Sequence, residues 1–417
     1  MKFSVLTLGC KVNQAESAFI ENAFRNAGHS LVDISERPDI CIINTCTVTS
    51  KSDYQSRQLI RKAHRAGSRI IVTGCYSELN KMKTESMEGV QSIISNSDKL
   101  NIIKKLIGTT TDNALYLNIC YQKRSRFFIK IQDGCNYSCS YCAIPRARGR
   151  SISIEPAVVI SQINDAVSNG FNEVVLTGIH LGCYGIDLKH KVKLSDLIKT
   201  ILKKTTIRRI RLSSLEVKEV DNELLDLFID KRICNHLHIP LQSGDDKVLR
   251  LMNRGYSSRF YYSTINKILK QIHGVAIGTD VIVGFPGEGE AEFRNTYSLL
   301  ESLPLSYMHI FTFSPRPGTA AAEMPDNTSS ATKKERVHLL EALNIRKKTE
   351  YMNSQINETL DVIIEEDGGD GTYCGRASNY LKIYMPATDC IRGSLIYVRV
   401  EGLKDGKLVG TPFFHGN

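Results

Sequence analysis

The segment from Gly134 to Pro145 reads Gly-Cys-Asn-Tyr-Ser-Cys-Ser-Tyr-Cys-Ala-Ile-Pro and sets Cys135, Cys139 and Cys142 in a C-x3-C-x2-C triplet. Zinc sites usually pair two C-x2-C hooks or add histidines to reach four protein ligands. No fourth Cys or His stands near this triplet, and three such thiolates fit a cubane iron–sulfur cluster with one iron left open. Cys10, Cys46 and Cys75 are far apart in sequence, yet each falls within about two residues of the C-terminal end of a strand-like run, where ligands of open α/β sheets gather. They can therefore converge on a second site. The chain has twelve cysteines, and disulfide frameworks belong to small secreted domains, so ligation or catalysis is the better explanation. Cys41 and Cys234, in or beside apolar runs, read as small core residues. Cys120, Cys183, Cys374 and Cys390 match no cluster spacing, and of these only Cys183 lies near a strand end.

The elements that must position these residues follow from hydrophobic periodicity. Runs at Phe3–Leu8, Asp39–Asn44 and Arg69–Thr73 read as strands, separated by helical stretches at Asn13–Ala27 and Ser50–Ala66. Strand and helix in alternation indicate βαβ units and a parallel sheet. A second alternating array has strands at Arg126–Gln132, Glu173–Thr177, Arg208–Ser213, His236–Leu241, Val275–Val283 and Tyr307–Phe313. Helices are expected between them at Glu155–Asn169, Leu194–Lys204, Asn222–Asp230, Arg259–Ile272 and Glu290–Leu303, which favours an incomplete (β/α)6 barrel. After a helical stretch from Ala331 to about Ile356, the runs Thr359–Ile364, Leu381–Tyr384 and Leu395–Val400 lie between Gly-rich turns and suggest a small all-β barrel or sandwich. The expected fold class is α/β, with an N-terminal parallel domain at 1–120, a partial barrel at 121–350 and an all-β domain at 351–417.

Composition narrows the class. The 417 residues have a formal net charge of +10 and 42% hydrophobic content. No apolar run reaches the ~18 residues of a membrane span, and the short run ending at Gly9 is unlike a secretory signal. The expectation is a soluble, cytoplasmic chain. Six Arg/Lys against one Asp occupy Arg124–Arg150, with Arg146, Arg148 and Arg150 directly after the cysteine triplet. A basic surface beside a reactive site suits a polyanion.

A C-x3-C-x2-C loop after the first strand of a β/α array, with Tyr141 before the last cysteine, resembles the radical S-adenosylmethionine (SAM) enzymes. The resemblance implies that Cys135, Cys139 and Cys142 hold a [4Fe–4S] cluster whose open iron binds SAM, and that an electron cleaves the sulfonium to give a 5′-deoxyadenosyl radical. The three-part organisation resembles the methylthiotransferases over essentially the full length. That implies a second [4Fe–4S] cluster on Cys10, Cys46 and Cys75 taking part in sulfur delivery, two SAM per turnover, and an RNA-binding TRAM-like domain at 351–417. Among the branches, the segments Cys-Lys-Val-Asn-Gln from Cys10, Thr177-Gly-Ile-His-Leu-Gly182, Arg211-Leu-Ser-Ser-Leu-Glu216, Ala147–Ser151 and Phe313–Thr319 are most similar to the one acting on N6-threonylcarbamoyladenosine at tRNA position 37. The alternatives are isopentenyladenosine in tRNA and an aspartate of a small-subunit ribosomal protein. A non-catalytic iron–sulfur RNA-binding protein is the alternative from another class.

By the same resemblance Tyr141, Thr177, Gly178, Ser213, Glu216, Gln242 and Gly284 fall near SAM, and Arg146, Arg148, Arg150 and Arg376 contact RNA. The implied partners are a tRNA carrying threonylcarbamoyladenosine and an electron donor such as flavodoxin or ferredoxin, with no membrane, and the chain is expected to be a monomer. His180 and His238 read as core histidines. The terminal segment 351–417 departs from expectation for an RNA-binding domain, with six basic and nine acidic groups.

Overall fold

The structure is a computed structural model that describes residues 1–99, 102, 106, 124–326, 328–369, 371–386 and 391–413. The expected boundary at residue 120 and the cysteines Cys120 and Cys390 lie outside the described residues. In the N-terminal part, β1 (Lys2–Thr7), α1 (Lys11–Asn26), β2 (Ser30–Leu31), β3 (Ile40–Thr45), α2 (Ser50–Arg65), β4 (Arg69–Gly74), α3 (Cys75–Leu79), α4 (Lys81–Glu85) and β5 (Val90–Ile93) follow one another. They form a parallel sheet in the order β2-β1-β3-β4-β5. Every residue of β3 is buried, as its unbroken apolar run requires for a strand covered on both faces. Helix α2 starts where the Thr49 side chain accepts from the Ser52 N–H, a cap that its sequence supplies.

The central part has six parallel strands in two groups of three. β6 (Phe127–Lys130), β9 (Glu173–Thr177) and β10 (Arg209–Leu212) pair in the order β10-β9-β6. β11 (His236–His238), β12 (Ala276–Val283) and β13 (Tyr307–Thr312) pair in the order β11-β12-β13. Bonds from Ile210 N to Arg232 O and from Cys234 N to Ile210 O join the two groups into one incomplete barrel. Between β6 and β9 lie the short β7 (Gln132–Asp133) and β8 (Ile152–Ser153), with α5 (Ile144–Arg148) between those two and α6 (Pro156–Ser168) after β8. Helices α7 (Leu194–Lys204), α8 (Asn222–Asp226), α9 (Asp246–Leu251), α10 (Ser258–Gln271) and α11 (Glu290–Ser302) complete the repeats. Helix α12 (Ser330–Asn353) follows, and the expected boundary at 350 falls inside it.

Helix α1 does not stay within its own sheet. Its Ala15 packs with Phe128 and Val175 on the face of β6 and β9 opposite the outer helices, so the N-terminal domain reaches into the barrel. One apolar core runs from Phe3, Phe24 and Ile71 through Phe127, Leu176 and Ile277. A separate core, including Met352, Val362, Ile383 and Leu408, fills the closed five-stranded barrel of β14 (Thr359–Gly369), β15 (Thr372–Ala377), β16 (Lys382–Pro386), β17 (Leu395–Lys404) and β18 (Lys407–Phe413). That barrel docks through buried arginines. Arg211 of β10 donates to the carbonyls of Ser378 and Ala377, and Arg209 to those of Asp361 and Arg376.

Candidate functional site

The triplet lies on the loop that leaves β7. Gly134 has φ +70°, and a Cβ there would sit 2.0 Å from the Arg150 carbonyl, so only glycine lets the two ends of the loop close. The loop is fixed by Cys135 N–H on Gly149 O (3.1 Å) and Cys142 N–H on Cys139 O (3.1 Å). All three cysteines line one cavity of about 470 Å³, with Gly318 and Thr319 opposite. Burial, then the neighbouring Cys139 and Cys135, pushes the Cys142 thiol up to about 12. A thiol whose ionisation its two neighbours oppose, beside an open cavity lined by all three, suits a positively charged iron centre, which reverses that repulsion. Two polar residues support the set: Arg254, absent from the sequence reading, and His180, read there as a core histidine. Arg254 Nη1 lies 3.3 Å from Cys139 Sγ, and His180 Nδ1 lies 3.5 Å from Cys135 Sγ and 3.2 Å from Cys183 Sγ.

Cys10 stands at the start of α1, Cys46 follows β3 and Cys75 opens α3 directly after β4. Neighbouring strand ends bring them together: the charges of both Cys10 and Cys75 oppose ionisation of Cys46, whose thiol burial already pushes up. Gly9, at φ +108°, leaves no Cβ where the Cys46 side chain approaches. The donor chemistry again fits a cluster held by three thiolates. Arg148 connects the two sets. Its Nε lies 3.3 Å from Cys75 Sγ, while its Nη atoms donate to Glu16, Asp133 and Asn13. Asp133 is two residues before Cys135, so a single guanidinium spans from one cysteine set to the loop of the other.

Comparison with known proteins follows the same division. Residues 129–300 match the radical SAM superfamily, and residues 2–95 match "Uncharacterized protein family UPF0004". The threonylcarbamoyladenosine tRNA methylthiotransferase MtaB of Bacillus subtilis is 36% identical over 94% of this chain and 92% of its own length. The chain belongs to the radical SAM tRNA methylthiotransferase family. The MtaB of Aquifex aeolicus is also 36% identical, over 88% of this chain and 93% of its own. The tRNA-2-methylthio-N(6)-dimethylallyladenosine synthase of Pelotomaculum thermopropionicum is 28% identical over 98% and 97%. In fold, the chain is similar to the radical SAM methyltransferase TsrM of Kitasatospora setae (TM-score 0.56, 15% identity, 77% of each chain covered). Members of the methylthiotransferase family use SAM and two [4Fe–4S] clusters, and this chain offers a three-cysteine set for each.

In this methylthiotransferase the residues expected near SAM lie at or shortly after strand ends, apart from Tyr141 on the cysteine loop. Tyr141 packs edge-on to Phe285 with centroids 6.3 Å apart, which brings it beside Gly284, whose N–H donates to Glu288. Thr177 is buried and donates to Ile129 O, and Gly178 leaves room for Gln132. Among the described residues Ser213 Oγ is buried without a hydrogen-bond partner, an orphan that suits a ligand. Glu216 pairs with Arg254, and both line a smaller cavity with Asn136 and Tyr137. Gln242 takes φ +67° where its backbone bridges to β12. Among the described residues no helix is long and apolar enough to cross a membrane.

Of the four arginines expected on substrate or RNA, Arg148 is placed otherwise and Arg376 is half-buried. Arg148 is buried, because the Glu16 and Asp133 carboxylates draw its guanidinium inward. Arg376 faces the central barrel, paired with Glu365 and lying over the Tyr380 ring. Arg146 and Arg150 are exposed; Arg146 donates to Pro317 O and Arg150 lines the Cys135 cavity. His238 shares Asp280 with His309, at 3.0 and 3.1 Å.

Proposed function

We propose that this enzyme places a methylthio group on C2 of N6-threonylcarbamoyladenosine at position 37 of tRNA, with a second SAM as methyl donor. The observation that carries the reading is Arg148, which holds Cys75 and the Cys135 loop against one another and so ties the two cysteine sets together. When bound, the cluster on Cys135, Cys139 and Cys142 supplies the electron that cleaves SAM, and the one on Cys10, Cys46 and Cys75 takes part in sulfur delivery. The protein's own part is positional. Ser213, Glu216 and the Gly178 and Gly284 backbones orient SAM, and the exposed Arg146 and Arg150 hold phosphates beside the Cys135 cavity. Relatives named for threonylcarbamoyladenosine, and the Cys-Lys-Val-Asn-Gln segment, support this substrate.

Mass spectrometry of tRNA nucleosides from cells with and without the gene tests this. Loss of 2-methylthio-threonylcarbamoyladenosine with accumulation of its unthiolated precursor supports it. Loss of a methylthiolated isopentenyladenosine or ribosomal-protein aspartate instead would move the enzyme to another branch. Failure of the reduced protein to form 5′-deoxyadenosine would favour a non-catalytic iron–sulfur protein.

A further inference from the structure

Lys11 follows the first auxiliary cysteine, and its side chain runs from the start of α1 to the turn between β15 and β16. That turn carries Tyr380 at φ +71°, a conformation that costs energy for a non-glycine residue and is tolerated where surrounding contacts enforce it. The Tyr380 ring enters the central barrel and stacks on His236 with centroids 4.4 Å apart. Four cations surround it: Arg376 at 4.9 Å, Arg211 at 5.3 Å, Lys11 at 5.6 Å and Arg126 at 6.0 Å from the ring centre. The carboxylates nearby are already shared. Glu173 pairs with Arg126, Arg209 and Arg211, Glu365 with Arg126 and Arg376, and Asp361 with Arg209. Five cations thus face three carboxylates, and among the described residues Lys11 has no carboxylate partner. Among the described residues, Arg126 Nη1 and Arg376 Nε are buried without hydrogen-bond partners. Arg376 and Tyr380 also line a cavity of about 380 Å³ with Tyr307 and His309. Arg126, Arg209 and Arg211 are buried and Lys11 and Arg376 half-buried, and an excess of positive charge in such a place, with unmet donors, calls for an anion, since uncompensated charge away from water is costly.

We propose that Lys11, within this cation cage, binds the carboxylate of the substrate's N6 substituent and so selects threonylcarbamoyladenosine over neutral N6 modifications. The proposal rests on the substrate reading above. Threonylcarbamoyl ends in a carboxylate, whereas a dimethylallyl group has no charge to offer. A neutral substituent would leave the cage uncompensated, and discrimination of this kind, against a ligand lacking the group a buried site expects, is strong.

The test uses the full-length, anaerobically reconstituted protein and two anticodon stem-loop RNAs. One carries N6-threonylcarbamoyladenosine at position 37; the other carries its methyl ester, which removes the carboxylate charge and leaves every phosphate in place. In competition binding, the acid should bind at least about tenfold more tightly than the ester to the wild type, the scale of one charge-assisted contact. Lys11→Met should bring the ratio close to one, and Lys11→Arg should restore part of it. Equal binding of acid and ester by the wild type would overturn the proposal without any variant having to fold. A ratio unchanged in Lys11→Met would overturn the role of Lys11. Methylthiolation of the acid RNA and of a third stem-loop carrying isopentenyladenosine is followed in parallel: if threonylcarbamoyl RNA is not methylthiolated while isopentenyl RNA is, the substrate reading itself has failed and this proposal with it.

Discussion

Arg148 Nε lies 3.3 Å from Cys75 Sγ while the same guanidinium donates to Asp133, two residues before Cys135. The contact ties the N-terminal domain to the cysteine loop of the barrel through one buried side chain. Glu16, fully enclosed, accepts from Arg148, Lys99 and Lys130, which together hold its carboxyl well below the usual carboxylate range despite burial.

Arg148→Met should therefore cost stability and alignment together. Removing one member of a buried charge network typically costs about 3–5 kcal/mol. Lys99 and Lys130 remain on Glu16, so the lower part of that range is expected, with a clear fall in Tm. Arg148→Lys keeps the charge but cannot reach Cys75 and Asp133 at once. It should melt closer to wild type yet give less methylthiolated product per SAM cleaved. A lysine variant with wild-type coupling would dissociate Arg148 from cluster alignment.

The two cysteine sets should be separable by chemistry. With Cys135, Cys139 and Cys142 all changed to Ala, the reconstituted protein should keep one four-iron cluster and form no 5′-deoxyadenosine. With Cys10, Cys46 and Cys75 changed to Ala, it should also keep one cluster, still cleave SAM, and yield no methylthiolated product. Iron and sulfide counts with Mössbauer spectra check both. Zinc in either set, or loss of all iron from a single triple variant, would refute two independent sites.

Much of this arrangement was legible from apolar runs and cysteine spacing. Each strand of the N-terminal sheet from which a cysteine emerges lies within a residue or two of its expected span, because unbroken Ile and Val runs such as Ile40–Ile43 leave little alternative. β15 and β18 escaped notice: Gly375 and Arg376 break one, and the other mixes Lys407, Gly410 and Pro412 with its apolar residues. Helix α9 has six residues, too few for a periodic signal. Contacts between distant segments were the hidden part. Arg254 meets Cys139 across 115 residues, and Tyr380 reaches His236 from another domain. The basic count at Arg146–Arg150 could not reveal that Arg148 turns inward, since that depends on Glu16 being delivered by α1.

Glu173 links docking of the C-terminal barrel to pH. It is fully buried, and although burial raises its carboxyl, Arg209, Arg211 and Arg126 outweigh that and hold it at about 2. An unfolded-state carboxyl titrates near 4.3. A folded value below the unfolded one gives stability that is fully present above about pH 4.3 and lost as pH falls toward 2, amounting to roughly 3 kcal/mol. Glu173→Gln should lower Tm at pH 7 and flatten its dependence on pH between about 5 and 3. Thermal melts of both proteins over that range measure it, and parallel curves would remove Glu173 from the account.

Gly9 offers the narrowest test of the auxiliary site. A Cβ at this position would lie 2.9 Å from Cys46 Cβ and 3.0 Å from its Sγ, in a backbone at φ +108° that side chains rarely adopt. Gly9→Ala must therefore either shift Cys46 or rotate the peptide that presents Cys10, and at an incompatible φ such a change costs more than about 1 kcal/mol. The strain falls on two of the three auxiliary thiols and on Asn13, whose Nδ2 would lie 2.9 Å from that Cβ, and it reaches the Cys135 loop only through the Asn13–Arg148 hydrogen bond. The variant should bind about half the wild-type iron, still cleave SAM when reduced, and give little methylthiolated tRNA. Full iron loading with normal product would mean that Cys46 is not held against Gly9 in the working enzyme, and that the auxiliary set closes around its cluster in another arrangement.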